Sequence, residues 1–214
     1  MKLRSAALRA LAAAGAAWIA GTGLAQPLRA ENAVAVESTP REVVERTVAQ
    51  VIEVLKQKQL ETPEKKERIQ DIAYARFDFP TMSRLVLARS WKRFDAPQQK
   101  RFQAEFKTFL AKQYGARLLS YEQEQVELLG ERAEPRGDVT VRTRIVGGDF
   151  AGADVDYRMR KGKDGEWRAI DVVIEGISLV SNYRDQFQSV VGKGGPEALL
   201  KELAKKNAEP DTKS

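Results

Sequence analysis

Apolar side chains return every three or four positions from Val44 to Leu118, the period of an amphipathic helix. They return every second position through most of 126–175, the period of a half-buried strand, and helical spacing resumes at Ser178. Four helix starts are written into the first half. Thr39-Pro40-Arg41-Glu42 combines a cap, a proline suited to the first helical position and a reciprocal glutamate; it leads a stripe of Val44, Val48, Val51, Ile52 and Leu55. Thr62-Pro63 opens a second helix in the same way, with Ile69, Ile72, Ala73 and Phe77 on its inner face. Asp78-Phe79-Pro80 opens a third, carrying Met82, Leu85 and Val86. Asp95-Ala96-Pro97-Gln98 opens the longest, along which Phe102, Phe106, Phe109, Leu110, Tyr114 and Leu118 step by three and four.

Four strands are then expected. Val126–Glu131 is short. Val139, Val141, Thr143 and Ile145 alternate with polar residues, as do Val155, Tyr157 and Met159. Trp167–Glu175 places Ile170, Val172 and Ile174 on one face. Lys163-Asp164-Gly165 is a turn signal, which makes the third and fourth strands a hairpin. A helix over Ser178–Val191 follows, then a break at Gly192–Pro196 and a short helix with Leu199, Leu200 and Leu203. Helices, an antiparallel meander and helices again predict an α+β domain: a curved four-stranded antiparallel sheet covered by helices. The space between sheet and helices is either packed core or a pocket.

Composition narrows what such a domain can do. The 214 residues contain no cysteine and no histidine. Disulfides, thiolate nucleophiles, histidine bases and the common zinc and haem ligand sets are thereby excluded. Any enzyme chemistry would fall to carboxylate, lysine, tyrosine or serine. The net charge of +6 is partly a targeting effect. Residues 1–25 have the layout of a signal peptide: Lys2, Arg4 and Arg9, an apolar stretch over Leu11–Ile19, and Gly23 and Ala25 at the −3 and −1 positions. A second cut after Ala30 is a poorer fit, because Leu28 stands at −3. Loss of residues 1–25 leaves 33 basic against 30 acidic side chains, a charge of +3. That is too small and too scattered for nucleic acid. The expected organisation is a signal peptide over 1–25, a flexible leader over 26–38, one domain over 39–208 and a disordered tail over 209–214. The expected destination is the periplasm, with no cysteine for lipid attachment.

Candidate chemistry is sparse. Asp154 and Asp156 share a strand face with Arg158 and Arg160 and read as a solvated surface. Asp171 sits in an apolar stretch with Glu175, Trp167 and Val173 on its face. A buried carboxylate needs a partner, and Arg184 in the following helix is the candidate. Asp78 reads as a helix cap. Gly192-Lys193-Gly194-Gly195 lacks the ending of a phosphate loop and reads as a helix break.

Several segments together resemble the MlaC, or toluene-tolerance, family. Phe77-Asp78-Phe79, Met82, Arg84, Val86-Leu87 and Trp91 match its FDF-x-x-M-x-R-x-V-L-x-x-x-W segment. Gln99, Phe102, Phe106, Leu110, Tyr114, Leu119 and Tyr121 continue it. Val141-Arg142-Thr143 with Ile145, Val155-Asp156-Tyr157, Trp167, Asp171-Val172, Glu175 to Val180, Asn182-Tyr183-Arg184 and Gln186-Phe187 complete it. The resemblance covers about residues 40–205. One departure is Ala88-Arg89, where the family commonly has a glycine beside the leucine.

The resemblance implies an NTF2-like fold around an apolar cavity. It implies a periplasmic carrier of glycerophospholipid, with no catalytic residue, metal or cofactor beyond the lipid cargo. The implied partners are an outer-membrane lipoprotein–porin complex and an inner-membrane ABC transporter with its MCE-type subunit; the chain itself is expected to be a monomer. The pathway is held to maintain outer-membrane lipid asymmetry. Periodicity supplies wall candidates for the cavity: Met82, Val86, Phe102, Phe106, Val141, Ile145, Val155, Tyr157, Met159, Val172, Ile174 and Leu179. Arg142, Arg144, Arg158 and Arg160 are candidates for contact with anionic lipid or acidic partners, against a role in ordinary strand solubility. Two other readings stand beside the carrier: a small-molecule enzyme using Asp171, and a ligand-free chaperone or scaffold with a filled interior.

Overall fold

The structure, a computed structural model, describes residues 38–119 and 125–209. The expected signal peptide, almost all of the leader, Tyr121 and the end of the tail lie outside the described residues. The element order is α1 (Pro40–Lys56), α2 (Thr62–Arg76), α3 (Phe79–Leu87), a 3-10 helix (Ala88–Arg93), α4 (Ala96–Leu119), β1 (Gln125–Ala133), β2 (Val139–Val146), β3 (Asp154–Lys161), β4 (Trp167–Ile174), β5 (Ile177–Ser178) and α5 (Leu179–Ala208).

Three helix starts follow their sequence signals. The Thr39 side chain accepts from the Glu42 N–H, and Glu42 returns a bond to the Thr39 N–H at 2.9 Å. Asp78 accepts from the Thr81 N–H at 2.9 Å and from its hydroxyl at 2.6 Å. Asp95 and Gln98 form the reciprocal pair that opens α4. The second start differs: Glu61, with no side-chain capping bond, occupies the cap, and Thr62 is already helical.

The sheet has five strands in the order β1-β2-β3-β4-β5, all neighbours antiparallel. The fifth strand corrects the expected four. It arises because Glu175 leaves β4 and turns the chain with Gly176, at φ 49° and 76°. Two successive positive φ angles make the tight hairpin turn whose twist matches its strands, and Ile177 then pairs with Ile174. Glycine takes the second of these angles without steric cost.

A bulge between Arg158 and Met159 on β3 and Asp171 and Ala169 on β4 leaves Ile170 as the extra residue. Trp167 and Ala169 therefore share a face with Val172 and Ile174, while Asp171 stands on the other. Sequence alternation placed Trp167 with Asp171; it assumes an unbroken period of two, which the bulge resets.

The buried apolar residues form two clusters. One is helical, built from Phe79, Met82, Val86 and Leu87 of α3, Phe102, Phe106, Phe109 and Leu110 of α4, and Val180, Tyr183, Phe187, Val191, Leu199, Leu200 and Leu203 of α5, with Phe94 beside them. The other joins Val43 and Val44 of α1 to Val141, Met159 and Ala169 on the inner face of the sheet. Phe77 packs against both. It is fixed where α2 ends, by a bridge to Ala169 and by the bond from the Asp78 N–H to the Ala169 carbonyl at 2.9 Å. The break expected near 192–196 narrows to Gly195, at φ 73° and ψ −175°. Pro196 disfavours helical geometry in the residue before it, and glycine tolerates the angle that results.

Ala88 closes α3 at φ 46° and ψ −119°, a conformation that favours glycine. This is the position at which the sequence departs from the family pattern. Strain there costs roughly 1–3 kcal/mol, whereas a glycine loosens the unfolded chain by roughly 0.4–1 kcal/mol. The strain exceeds the entropy, so Ala88→Gly is expected to stabilise the fold by about 1 kcal/mol and to raise Tm by about 2–4 °C. Thermal denaturation followed by circular dichroism tests this, and an unchanged or lower Tm contradicts it.

Candidate functional site

The two faces of the sheet have opposite chemistry. On the outer face, charges pair across strands. Arg144 meets Asp154 at 2.7 and 3.1 Å, and Arg142 approaches Asp156 at 3.9 Å. Asp138, fully buried just before β2, receives Arg160 at 2.6 and 2.7 Å and Arg158 at 3.1 Å. The Arg144 hydrogen bond lowers the Asp154 pKa, and the Asp138 bond raises that of Arg160. In the β3–β4 turn, Arg168 holds the Asp164 pKa down to about 2. The four arginines considered for anionic contacts are thus paired with this chain's own aspartates.

Asp171 is buried, as its apolar surroundings suggested. Its partners are not the expected one. Ser178 Oγ donates to one carboxylate oxygen, and the Val180 N–H donates to the other at 3.0 Å. Arg184 Nε instead donates to the Leu85 carbonyl at 3.0 Å. Asp171 thereby serves the exposed N–H groups at the start of α5, a stabilising place for a carboxylate. Arg184 ties α5 to α3. Among the described residues no group of three or more acidic side chains is placed to hold a metal ion.

The inner face is apolar and incompletely covered. Strand register aligns Val141 with Tyr157 and Val172, and Thr143 with Val155 and Ile174. Val43, Val44 and Val48 of α1 cover one part, where Val141, Met159 and Ala169 are buried. Around that part Val48, Phe77, Leu128, Tyr157 and Trp167 are only half-buried. Val155 and Ile174, further along the same face, are half-buried too. Apolar surface left partly open between packed layers is the usual material of a binding site for an apolar ligand. The half-exposed rim of the inner face is therefore the candidate site.

The twelve wall candidates divide accordingly. Met82, Val86, Phe102 and Phe106 lie together in the helical cluster, fully buried. Val141 and Met159 lie in the sheet cluster. Ile145, Val172 and Leu179 are buried outside both clusters. Val155, Tyr157 and Ile174 lie on the open rim. Periodicity missed Val48, Phe77, Leu128 and Trp167 as rim residues. Val48 was visible in the α1 stripe, but a stripe does not say which layer it faces.

A separate cavity of about 400 Å³ lies between α2, α4 and the end of α5. Lys66, Gln70, Tyr74, Thr108, Lys112 and Asn207 are among its lining residues, and none of the twelve candidates reaches it. Lys112 Nζ donates to the carbonyls of Lys206, Asn207 and Glu209, satisfying the last turn of α5. Lys107 lies over the Tyr74 ring, 3.4 Å from its centre. Burial and the Asp71 charge raise the Tyr74 pKa. Among the described residues no helix is long and apolar enough to cross a membrane.

The helix-covered antiparallel sheet, apolar inside and ion-paired outside, is an α+β domain of the NTF2-like type. Within that type the chain belongs to the MlaC family, whose model, described as MlaC protein, matches residues 45–205. It is 28% identical over 119 residues to the toluene tolerance protein ttg2D of Pseudomonas putida, covering 55% of each chain. It is 24% identical over 130 residues to the intermembrane phospholipid transport system binding protein MlaC of Haemophilus influenzae, covering 58% of this chain and 60% of that one. The matched stretches thus span little more than half the length of these curated relatives. A solved structure of a phospholipid-binding protein from Ralstonia solanacearum, in complex with a phospholipid, superposes with a TM-score of 0.72 at 25% identity. The match covers 80% of this chain and 98% of that one.

Proposed function

We propose that this protein is a periplasmic phospholipid carrier that moves glycerophospholipid between outer-membrane and inner-membrane complexes and so maintains outer-membrane lipid asymmetry. The observation that carries the reading is the match to the phospholipid-bound structure, which extends over 80% of this chain. Supporting it is the half-open apolar face of the sheet. The engagement of both Asp171 oxygens within the fold favours a structural role for that carboxylate over a catalytic one.

The physical task fits the composition. Exposing a diacyl lipid of roughly 30 methylenes to water costs on the order of 20 kcal/mol, at about 0.8 kcal/mol each. A carrier replaces the bilayer with an apolar wall of similar quality and performs no reaction. In this reading the cargo is phospholipid and there is no cofactor. Val155, Tyr157 and Ile174 line its path, and the buried candidates Ile145, Val172 and Leu179 support that wall. The partners are the lipoprotein–porin complex on one side and the ABC transporter with its MCE-type subunit on the other. The signal-like layout of residues 1–25 supports export to the periplasm, with the chain acting there as a monomer.

Protein purified without delipidation is expected to release close to one phospholipid per chain on organic extraction, quantified by mass spectrometry. An extract free of phospholipid rejects the proposal.

A further inference from the structure

The 3-10 helix Ala88–Arg93 and the helix ends around it carry a concentration of positive charge that lipid carriage does not use. From residue 84 to residue 101 there are six cations, Arg84, Arg89, Lys92, Arg93, Lys100 and Arg101, against one acid, Asp95. All six are exposed. Arg101 is paired with Glu197 at 3.5 Å. Among the described residues the other five have no carboxylate partner, in contrast to the ion-paired arginines of the sheet.

The fold holds these charges together. A six-residue 3-10 helix rises only about 12 Å and sets residues three apart above one another, so Arg89 and Lys92 share a face beside Arg93. The Gln99 amide donates to the Trp91 carbonyl at 3.2 Å and the Phe94 carbonyl at 3.0 Å. These bonds draw the first turns of α4, with Lys100, onto the same region. Trp91 sits among the cations, half-buried, packed against the helical cluster. The one acid within the segment, Asp95, is engaged with the Gln98 N–H at 2.8 Å, and Glu197 of α5, which borders the patch, accepts from the Gln98 amide at 2.9 Å and pairs with Arg101.

We propose that Arg84, Arg89, Lys92, Arg93 and Lys100, with Trp91 at their centre, dock the protein on the surface of an anionic phospholipid bilayer. Charge complementarity selects an anionic partner. Long flexible cations with few interspersed acids suit a diffuse lipid charge better than a patterned protein surface, and tryptophan favours the boundary between headgroup and hydrocarbon. Each lysine or arginine near such a surface contributes in proportion to the surface potential and is screened by salt. The inference concerns the outer surface alone and stands whether or not the chain holds cargo.

The test is flotation of the protein, as it accumulates in the cell, with vesicles of phosphatidylcholine containing one-third phosphatidylglycerol and with vesicles of phosphatidylcholine alone. The parent is expected to bind the anionic vesicles at low salt, to bind the neutral ones weakly, and to lose most binding at high salt. The triple variant Arg89→Gln, Lys92→Gln, Arg93→Gln is expected to bind at least about tenfold more weakly. The variant Arg89→Lys, Arg93→Lys keeps the charge and is expected to retain binding. Lys56→Gln, Lys58→Gln, Lys163→Gln removes as many exposed charges from the end of α1 and the β3–β4 turn and is expected to bind nearly as the parent does. No binding of the parent to anionic vesicles overturns the proposal and leaves the patch to an acidic protein. Equal loss in both triple variants also overturns it, since net charge would then suffice. These side chains are exposed, so a thermal melt showing a parental Tm separates docking from misfolding.

Discussion

Phe106→Ala is expected to destabilise the fold by about 3–5 kcal/mol, read as a lower midpoint in urea at unchanged slope. Phe106 is almost completely buried. Its ring stacks on Phe102 at 5.5 Å and meets Phe187 and Tyr183 edge-on at 5.8 and 6.3 Å. Truncation removes these contacts along with the buried area and leaves a void among three helices that hold one another in place. Phe106→Leu, which refills most of the void, is expected to recover much of the loss. The measurement also bears on function, because Phe106 is a wall candidate lying inside a packed cluster. A loss below about 1 kcal/mol, accompanied by changed lipid content, would mean that the ring faces lipid instead of its neighbours.

Val155→Asp is expected to abolish most phospholipid occupancy while leaving the protein folded. Val155 is half-buried on the inner sheet face, aligned with Thr143 and Ile174. Without lipid, a carboxylate there keeps contact with water. Against acyl chains it would have to be desolvated without a partner, a cost of several kcal/mol. A difference of that size lowers affinity by about a hundredfold or more. Extraction and mass spectrometry should find less than a tenth of the parental lipid, with the melting transition still cooperative. Arg142→Gln, on the opposite face, is expected to keep full occupancy. Parental lipid content in the aspartate variant would remove Val155 from the proposed path.

Local chemistry was legible in the residues themselves. The Thr39–Glu42 and Asp95–Gln98 pairs, the Asp78 cap and the β3–β4 hairpin depend on neighbours in sequence, and each forms as the spacing requires. Two local readings still missed, since Glu61 and not Thr62 caps α2 and the Glu175-Gly176 turn adds a fifth strand; the other misses depended on a residue brought from elsewhere or on register. Asp171 and Arg184 have opposite charge and lie in neighbouring elements, yet each finds another partner. The N–H of Val180 reaches the carboxylate first, and the Leu85 carbonyl is within reach of the arginine. The bulge at Ile170 likewise leaves no mark in an apolar run, where every side chain suits burial on either face.

By itself the sequence determined the α+β class, the positions of the long helices, the polar and apolar faces of β2 and β3, and a family resemblance that the comparisons bear out. These follow from the periods of 3.6 and 2 and from capping side chains, all of which act over a few residues. The tertiary structure decided the division of the apolar residues into two clusters. It decided the fifth strand, the pairing of Arg158 and Arg160 with buried Asp138, and which part of the inner face stays half-open. Those outcomes turn on which layers meet and at what register. A hydrophobic stripe states only that a side chain leaves water; the partner it meets, or the ligand it waits for, is set by the rest of the fold.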